Sequence, residues 1–318
     1  MSVPIPTPPA LDFADLDDEA GYARWREWKL RHQPVTLDEI LVEITDPTRL
    51  TQAEEQALWT RIRCCNMAVY ACRRAETDGK DAVRSLAARF GLQRLDHNWL
   101  ADDDGITALE VKPDRGPGDY IPYTDRPIRW HTDGYYNGGH RPVRALLLHA
   151  VRPAARGGEN RLADPEMAYL FLRDADPDFI QALMQPDVLT VPARMSSGRV
   201  ARAEVTGPVF AVAPDGSLTM RYTQRRHNVR WKNDPLVARA QHFLAGMLES
   251  DLPFIFRGRL EAGMGLISNN VLHDRSGFED DADRPRLLYR ARYFDRLQAP
   301  RPAGAVATTS TRPRDARA

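Results

Sequence analysis

The chain has 318 residues, 42% hydrophobic and 28% charged, and its 44 Lys and Arg balance 44 Asp and Glu. That composition suits a folded globule with a sizeable core, and zero formal charge excludes a global electrostatic draw toward nucleic acid or an anionic membrane. No run approaches the roughly eighteen apolar residues that a membrane span needs, and the first twenty residues lack the basic start and apolar stretch of a signal peptide.

Residues 1–15 are Pro-rich and read as extended or mobile. Asp17 to Arg31 reads as a helix with Tyr22, Trp25, Trp28 and Leu30 on its apolar side. Thr51-Gln-Ala-Glu54 matches a capping box and opens a helix expected to run to about Tyr70. Its cysteines, Cys64 and Cys65, read with Cys72 as small apolar fillers; three thiols without a C-x-x-C pair point to a reducing, cytoplasmic compartment. Lys80 to Phe90 is another helix, stopped by Gly91.

From about Asp104 the pattern becomes β-rich. Short runs at Ile106–Val111, Val143–Ala150, Val188–Pro192 and Val209–Val212 are separated by turn residues. Leu218–Tyr222, Leu266–Ile267 and Leu287–Phe294 continue the series, and Val212-Ala-Pro-Asp-Gly-Ser217 carries a hairpin turn signal. Two helices interrupt it, at Asp164–Asp174 and Asp234–Glu249, each opened by Asp-Pro. Many short strands among turns predict a sandwich or barrel with added helices, hence an α+β class. The chain divides into an N-terminal extension over 1–49 with a short helix, one domain over 50–296, and a disordered tail over 297–318.

The chemistry concentrates in His131-Thr132-Asp133 and a distant His273. On a strand, alternate residues share a face, so His131 and Asp133 point together while Thr132 points away. Two neutral imidazoles and a carboxylate suit Fe(II) and leave three positions for a cosubstrate and dioxygen. H-x-D alone recurs by chance, and its flanks supply the specificity. Upstream lies Trp130-His-Thr-Asp-Gly134, followed by Tyr135, Tyr136 and Asn137. Downstream, His273 closes an apolar run, and Arg284, Arg286, Arg290 and Arg292 follow.

These segments resemble the Fe(II)/2-oxoglutarate-dependent dioxygenases of the taurine dioxygenase-like family over about Leu50 to Tyr293. The resemblance includes Ala87-Ala-Arg-Phe-Gly91 and the Gly157-Gly-Glu-Asn160 turn. It implies a double-stranded β-helix (jelly-roll) fold, with His131, Asp133 and His273 as catalytic iron ligands. It also implies that Arg286 holds the far carboxylate of 2-oxoglutarate, with Arg284 competing for that role. Asn160 replaces the threonine that the family often uses on the same carboxylate; its amide can also donate. Arg290 matches a position that meets the acidic end of substrate, and a structural ion pair fits it equally well. The retained Asp133 argues against a halogenase.

The expected activity is oxidation, typically hydroxylation, of a C–H bond in a small polar substrate, with release of succinate and CO2. Arg290, Arg221 and Arg225 point to an anionic substrate, and Tyr135 is expected near the pocket mouth. Three readings compete: a non-catalytic metal-binding β-helix protein, a zinc hydrolase on the same ligands, and a nucleic-acid-modifying dioxygenase using the basic segment over 221–232. Balanced charge weighs against the last. The oligomeric state is open, a homo-oligomer included.

Overall fold

The structure is a computed structural model that describes residues 5–73, 79–97, 104–111, 121–196, 199–225, 227 and 229–300. Helix α1 (Glu19–His32) starts where the Asp18 side chain accepts from Gly21 N. After α2 (Leu37–Ile40) and β1 (Leu41–Ile44), α3 (Gln52–Cys65) opens with the Thr51/Glu54 capping box. It does not run on to Tyr70. Asn66 takes a left-handed conformation (φ 60°), and the chain leaves as β2 (Met67–Cys72). A strand buried on both faces is a continuous apolar run, which periodicity alone does not separate from a helix.

Helix α4 (Gly79–Arg89) precedes β3 (Thr107–Leu109), β4 (Ile128–His131), β5 (Ala145–Arg152), β6 (Arg156–Gly157) and β7 (Asn160–Ala163). Asp164 and Asp176 then cap α5 (Pro165–Ala175) and α6 (Pro177–Leu183), each with Pro in the first turn. Small strands follow: β8 (Leu189–Val191), β9 (Arg194–Ser196), β10 (Arg199–Arg202), β11 (Val205–Gly207), β12 (Phe210–Val212), β13 (Leu218–Met220) and β14 (Arg230–Trp231). The chain ends with α7 (Pro235–Leu248), β15 (Ile255–Gly258), β16 (Met264–Ser268), β17 (Leu272–Arg275), β18 (Phe278–Glu279) and β19 (Leu287–Tyr293). No helix among the described residues is long and apolar enough to cross a membrane.

Two sheets form the jelly-roll core, one of order β1-β2-β16-β5-β19-β3 and one of order β15-β7-β17-β4. Leu146, Leu148, Leu266 and Leu288 of the first meet Leu162 and Phe256 of the second in one apolar cluster. On the first sheet's other face, Leu147, Ile267 and Tyr293 pack with Leu58, Ile62, Leu86 and Phe90 of the α3–α4 layer. Behind the second sheet, Trp130, Ala163 and Leu272 pack with α5, α6 and α7. The α+β class and mainly β core therefore stand.

The N-terminal stretch is more integrated than its composition predicts. Leu11 and Phe13 are buried against Trp25 and Tyr169, and β1 pairs in parallel with β2 inside the larger sheet. At the other end Leu297 is buried; residues 301–318 of the expected disordered tail lie outside the described residues. Helix α1 is fixed by Lys29, whose fully buried Nζ meets Asp164 Oδ2 at 2.5 Å, Glu166 Oε2 at 2.7 Å and the Cys64 carbonyl at 2.8 Å. Burial alone would lower the Lys29 pKa, but Asp164 and Glu166 reverse the direction. Asp164 also caps α5 and accepts from Asn66 Nδ2. Lys29→Ala would leave that carboxylate buried without its cation, so unfolding in urea should show a loss of about 3–5 kcal/mol. A loss below about 1 kcal/mol, the range of an exposed pair, would refute the role assigned to Lys29.

Candidate metal centre

Strands β4 and β17 run antiparallel with His131 directly opposite His273. Cross-strand partners project to the same side of a sheet, and the two ring centroids lie 4.2 Å apart. Each Nδ1 sits against a backbone carbonyl, Arg129 O at 2.9 Å and Val271 O at 3.0 Å. A carbonyl only accepts, so Nδ1 carries the proton and Nε2 keeps its lone pair. Burial, then the neighbouring His273, pushes His131 down to about 3, so its imidazole is neutral at pH 7.

Asp133 lies two residues past His131. Thr132, the residue between, turns away as expected: its N donates to Tyr222 O at 3.0 Å and its Oγ1 accepts from Tyr222 N at 3.1 Å. Gly134 makes the turn at φ +69°, where a Cβ would come within 2.4 Å of Val143. Asn270 holds the Asp133 backbone from both sides. Its Oδ1 accepts from Asp133 N at 2.9 Å, and its Nδ2 donates to Asp133 O at 2.9 Å and Val143 O at 2.8 Å. It does so from a left-handed conformation (φ 52°) that Asn tolerates better than most residues.

The charge on Asp133 is managed from β19. Arg290 and Arg292 pair with Leu148 and Leu146 of β5 and so share the inner face with Leu288. Arg290 Nη1 is 3.3 Å and Arg292 Nη1 3.9 Å from Asp133 Oδ1. Burial would raise the Asp133 pKa, but these two guanidiniums more than offset it and hold the carboxyl well below the usual carboxylate range. Asp133 Oδ2 is buried without a hydrogen-bond partner. One ligand atom from each of His131, Asp133 and His273 lies within 4.8 Å of the others, all three residues buried. An unpartnered carboxylate oxygen beside two imidazoles with inward Nε2 atoms fits a divalent transition metal.

The remaining expected site residues separate. Arg286 is buried and Arg284 exposed. The Arg286 guanidinium lies 5.0 Å from the Phe278 ring centre, and its N–H groups find no acceptor among the described residues. Burial pushes it down to about 10, with Asp280 opposing. Arg275, absent from the sequence reading, lies 4.8 Å from the same ring and donates to the Thr124 and Arg126 carbonyls. Asn160 uses one amide N–H on the Asp274 carbonyl at 2.6 Å, tying β7 to β17 beside His273. A cavity of about 610 Å³ opens where Arg129, Asn160, Gln224 and Arg275 meet.

Tyr135 lies beside the triad, its ring 6.5 Å from that of His131. Arg290, at 11% side-chain exposure, faces Asp133 and keeps a buried, unpartnered Nε. Arg225 stands 6.0 Å over the Tyr135 ring. Arg221, expected beside an anion, has another task. Its guanidinium donates to the Pro208, Tyr135, Leu189 and Gly207 carbonyls, which fixes loops around the site and leaves it little to offer a ligand. Sequence reasoning also missed Asn270 and Arg292; the alternation that places Arg290 inward extends to Arg292 and was the available signal.

The sequence profile of the family described as "Taurine catabolism dioxygenase TauD, TfdA family" matches residues 74–292. A uridine-5'-phosphate dioxygenase from a Streptomyces species is 32% identical over 213 residues, covering 63% of this chain and 72% of that protein. A uridine-5'-phosphate dioxygenase from an Amycolatopsis species is 33% identical over 178 residues, 54% of this chain and 62% of that protein. Among solved structures, an asparagine oxygenase in complex with Fe(II), 3-hydroxyasparagine and succinate aligns with a TM-score of 0.57, over 87% of this chain and 85% of that one. At 14% identity that likeness speaks for the fold.

Asn270→Gly keeps the left-handed turn and removes three hydrogen bonds from the Asp133 loop. Equilibrium dialysis against Mn(II) should show metal affinity falling about tenfold to a hundredfold. Unchanged affinity would reduce Asn270 to a turn residue.

Proposed function

The chain belongs to the TauD, TfdA family and is a non-haem iron, 2-oxoglutarate-dependent dioxygenase; from that premise we propose that it oxidises a C–H bond of a small anionic substrate, with release of succinate and CO2. The observation that carries the site assignment is the buried, unpartnered Asp133 Oδ2 beside two imidazoles with inward Nε2 atoms. His131, Asp133 and His273 would hold the iron. When bound, the metal supplies activation of dioxygen coupled to decarboxylation of 2-oxoglutarate.

Arg286 would bind the far carboxylate of 2-oxoglutarate, since its planar fork offers two parallel donors and burial strengthens them. Its burial, against the exposure of Arg284, favours it for that role. Arg290 stands between Asp133 and the space beyond, with its Nε directed to no protein acceptor, and would meet an anionic group of substrate. Tyr135 would wall the mouth and exclude water from the centre. The relatives named as uridine-5'-phosphate dioxygenases make a nucleoside 5'-phosphate the first substrate class to examine.

The rival readings fare less well. The basic stretch over 221–232 loses cations to internal partners: Arg221 to backbone carbonyls, Arg230 to Glu204 and Lys232 to Asp187. That weakens it as a nucleic-acid surface. A zinc hydrolase on the same ligands would need neither dioxygen nor 2-oxoglutarate.

Succinate should therefore form from 2-oxoglutarate only with Fe(II) and air, and faster with uridine 5'-phosphate present. His131→Ala, Asp133→Ala and His273→Ala should each abolish it. Arg286→Ala should raise the KM for 2-oxoglutarate about tenfold to a hundredfold, as expected for a lost bidentate charge-assisted pair. Arg284→Ala should change it less than about twofold, because an exposed charge is screened. Near-normal succinate formation by any ligand variant, or activity under nitrogen, would contradict the assignment.

A further inference from the structure

Arginines in this protein are habitually paired with carboxylates. Arg26 meets Asp174, Arg144 meets Asp215, Arg161 meets Asp274 and Arg292 meets Asp96. Arg202 and Arg225, beside the centre, are among those that do not follow that habit. Arg202, closing the β9–β10 hairpin, donates one nitrogen to the Pro192 carbonyl at 2.8 Å, and its Nη1 is buried with no partner. Arg225 follows Thr223, which bridges to His131. Neither has a carboxylate within ion-pair range among the described residues. Their guanidiniums stand over adjacent rings, Arg202 at 5.7 Å from Tyr136 and Arg225 at 6.0 Å from Tyr135.

We propose that Arg202 and Arg225 form a phosphate-binding subsite over Tyr135 and Tyr136, which holds the phosphate monoester of the substrate beside the triad. The proposal deepens the dioxygenase reading and rests on it for the place of the reacting carbon. Its geometry is a continuous run of contacts. The His131 ring is 6.5 Å from Tyr135, Tyr135 is 5.2 Å from Tyr136, Arg225 stands over Tyr135, and both Arg202 and Arg292 stand 5.7 Å from the Tyr136 ring centre. Tyr136 is held in place by Arg292 Nη1 at 2.6 Å from its hydroxyl, so the platform is attached to the strand that also faces Asp133.

Two acid-free guanidiniums side by side repel each other. Burial, with the charges of Arg194 and Arg225, already disfavours the charged form of Arg202, and a dianion between the two relieves that repulsion. A phosphate monoester has three peripheral oxygens and up to twice the charge of a carboxylate, so it can accept from two separate forks and offset both cations. Arg221, committed to carbonyls, takes no part, and Arg290, whose Nη1 faces Asp133, can add only its free Nε to the same anion. An apolar or cationic substrate would leave Arg202 Nη1 buried and unsatisfied, so the subsite also selects against such compounds.

Calorimetric titration of the anaerobic Fe(II)/2-oxoglutarate protein with uridine 5'-phosphate, ribose 5-phosphate, inorganic phosphate and uridine tests this. Wild type should bind uridine 5'-phosphate at least about tenfold tighter than uridine, and each of Arg202→Gln and Arg225→Gln should cut that preference about tenfold. Arg202→Lys and Arg225→Lys should restore part of it, and added salt should weaken it. Ribose 5-phosphate binding without uridine 5'-phosphate binding would support the subsite and exclude a nucleotide. The proposal is overturned if no phosphate compound binds better than uridine, or if the preference survives in the folded double Gln variant. Succinate formation in the same preparations separates the two readings. Succinate with a phosphate-free substrate sinks only the subsite, whereas phosphate binding without consumption of 2-oxoglutarate under any condition sinks the dioxygenase assignment.

Discussion

The register of β4 against β17 is the constraint on which the rest depends. His131 and His273 meet only because they are direct cross-strand partners. A slip of one residue would turn one imidazole to the opposite face of the sheet. The alternate positions prevent it. Trp130 and Leu272 are buried in the cluster behind the sheet, so losing the register would drive a tryptophan or a leucine toward the polar site. The rim adds its own locks: Thr132 is tied to the Tyr222 backbone in both directions, and Asn270 clasps Asp133. Most of the interactions that place the ligands are therefore backbone contacts and apolar packing, which are independent of pH and of any bound ion.

A second ordering principle runs along β19. One strand carries Arg286 at its entrance and Arg290 and Arg292 on its inner face, spaced by about 7 Å for every two residues. Each has a different environment. Arg286 lies beside Phe278 with its donors uncommitted, Arg290 faces Asp133, and Arg292 is locked between Asp96 and Tyr136. Buried guanidiniums this close would be destabilising without anions. Asp133 and Asp96 answer two of them within the protein, and the third, Arg286, has no hydrogen-bonded carboxylate at its guanidinium among the described residues. The same strand thus holds the Asp133 carboxyl well below the usual range in a buried setting where desolvation pushes the other way.

Much of this was legible in the sequence, and the failures have physical causes. The W-H-x-D-G segment reads directly because strand parity and one turn glycine fix the geometry within a few residues. The long pairing to His273 was legible only through the family resemblance, since register between distant strands leaves no local trace. Met67–Cys72 reads as more helix because a doubly buried strand lacks alternation, and Leu11 and Phe13 look solvent-bound because prolines dominate their neighbourhood. Arg221 looks like a ligand arginine because composition reveals charge but not the carbonyls waiting around it. Asn270 carried a signal, an Asn-Asn pair before a strand, whose meaning appears only when the Asp133 loop is set beside it.

The central claim is that a single ion is held by the Nε2 atoms of both histidines and the free oxygen of one aspartate. Anomalous diffraction at the iron edge from anaerobically loaded crystals measures this directly. One strong peak within bonding distance of His131 Nε2, His273 Nε2 and Asp133 Oδ2 is the predicted result. A peak on either Nδ1, or iron bound elsewhere with the triad bare, would contradict it.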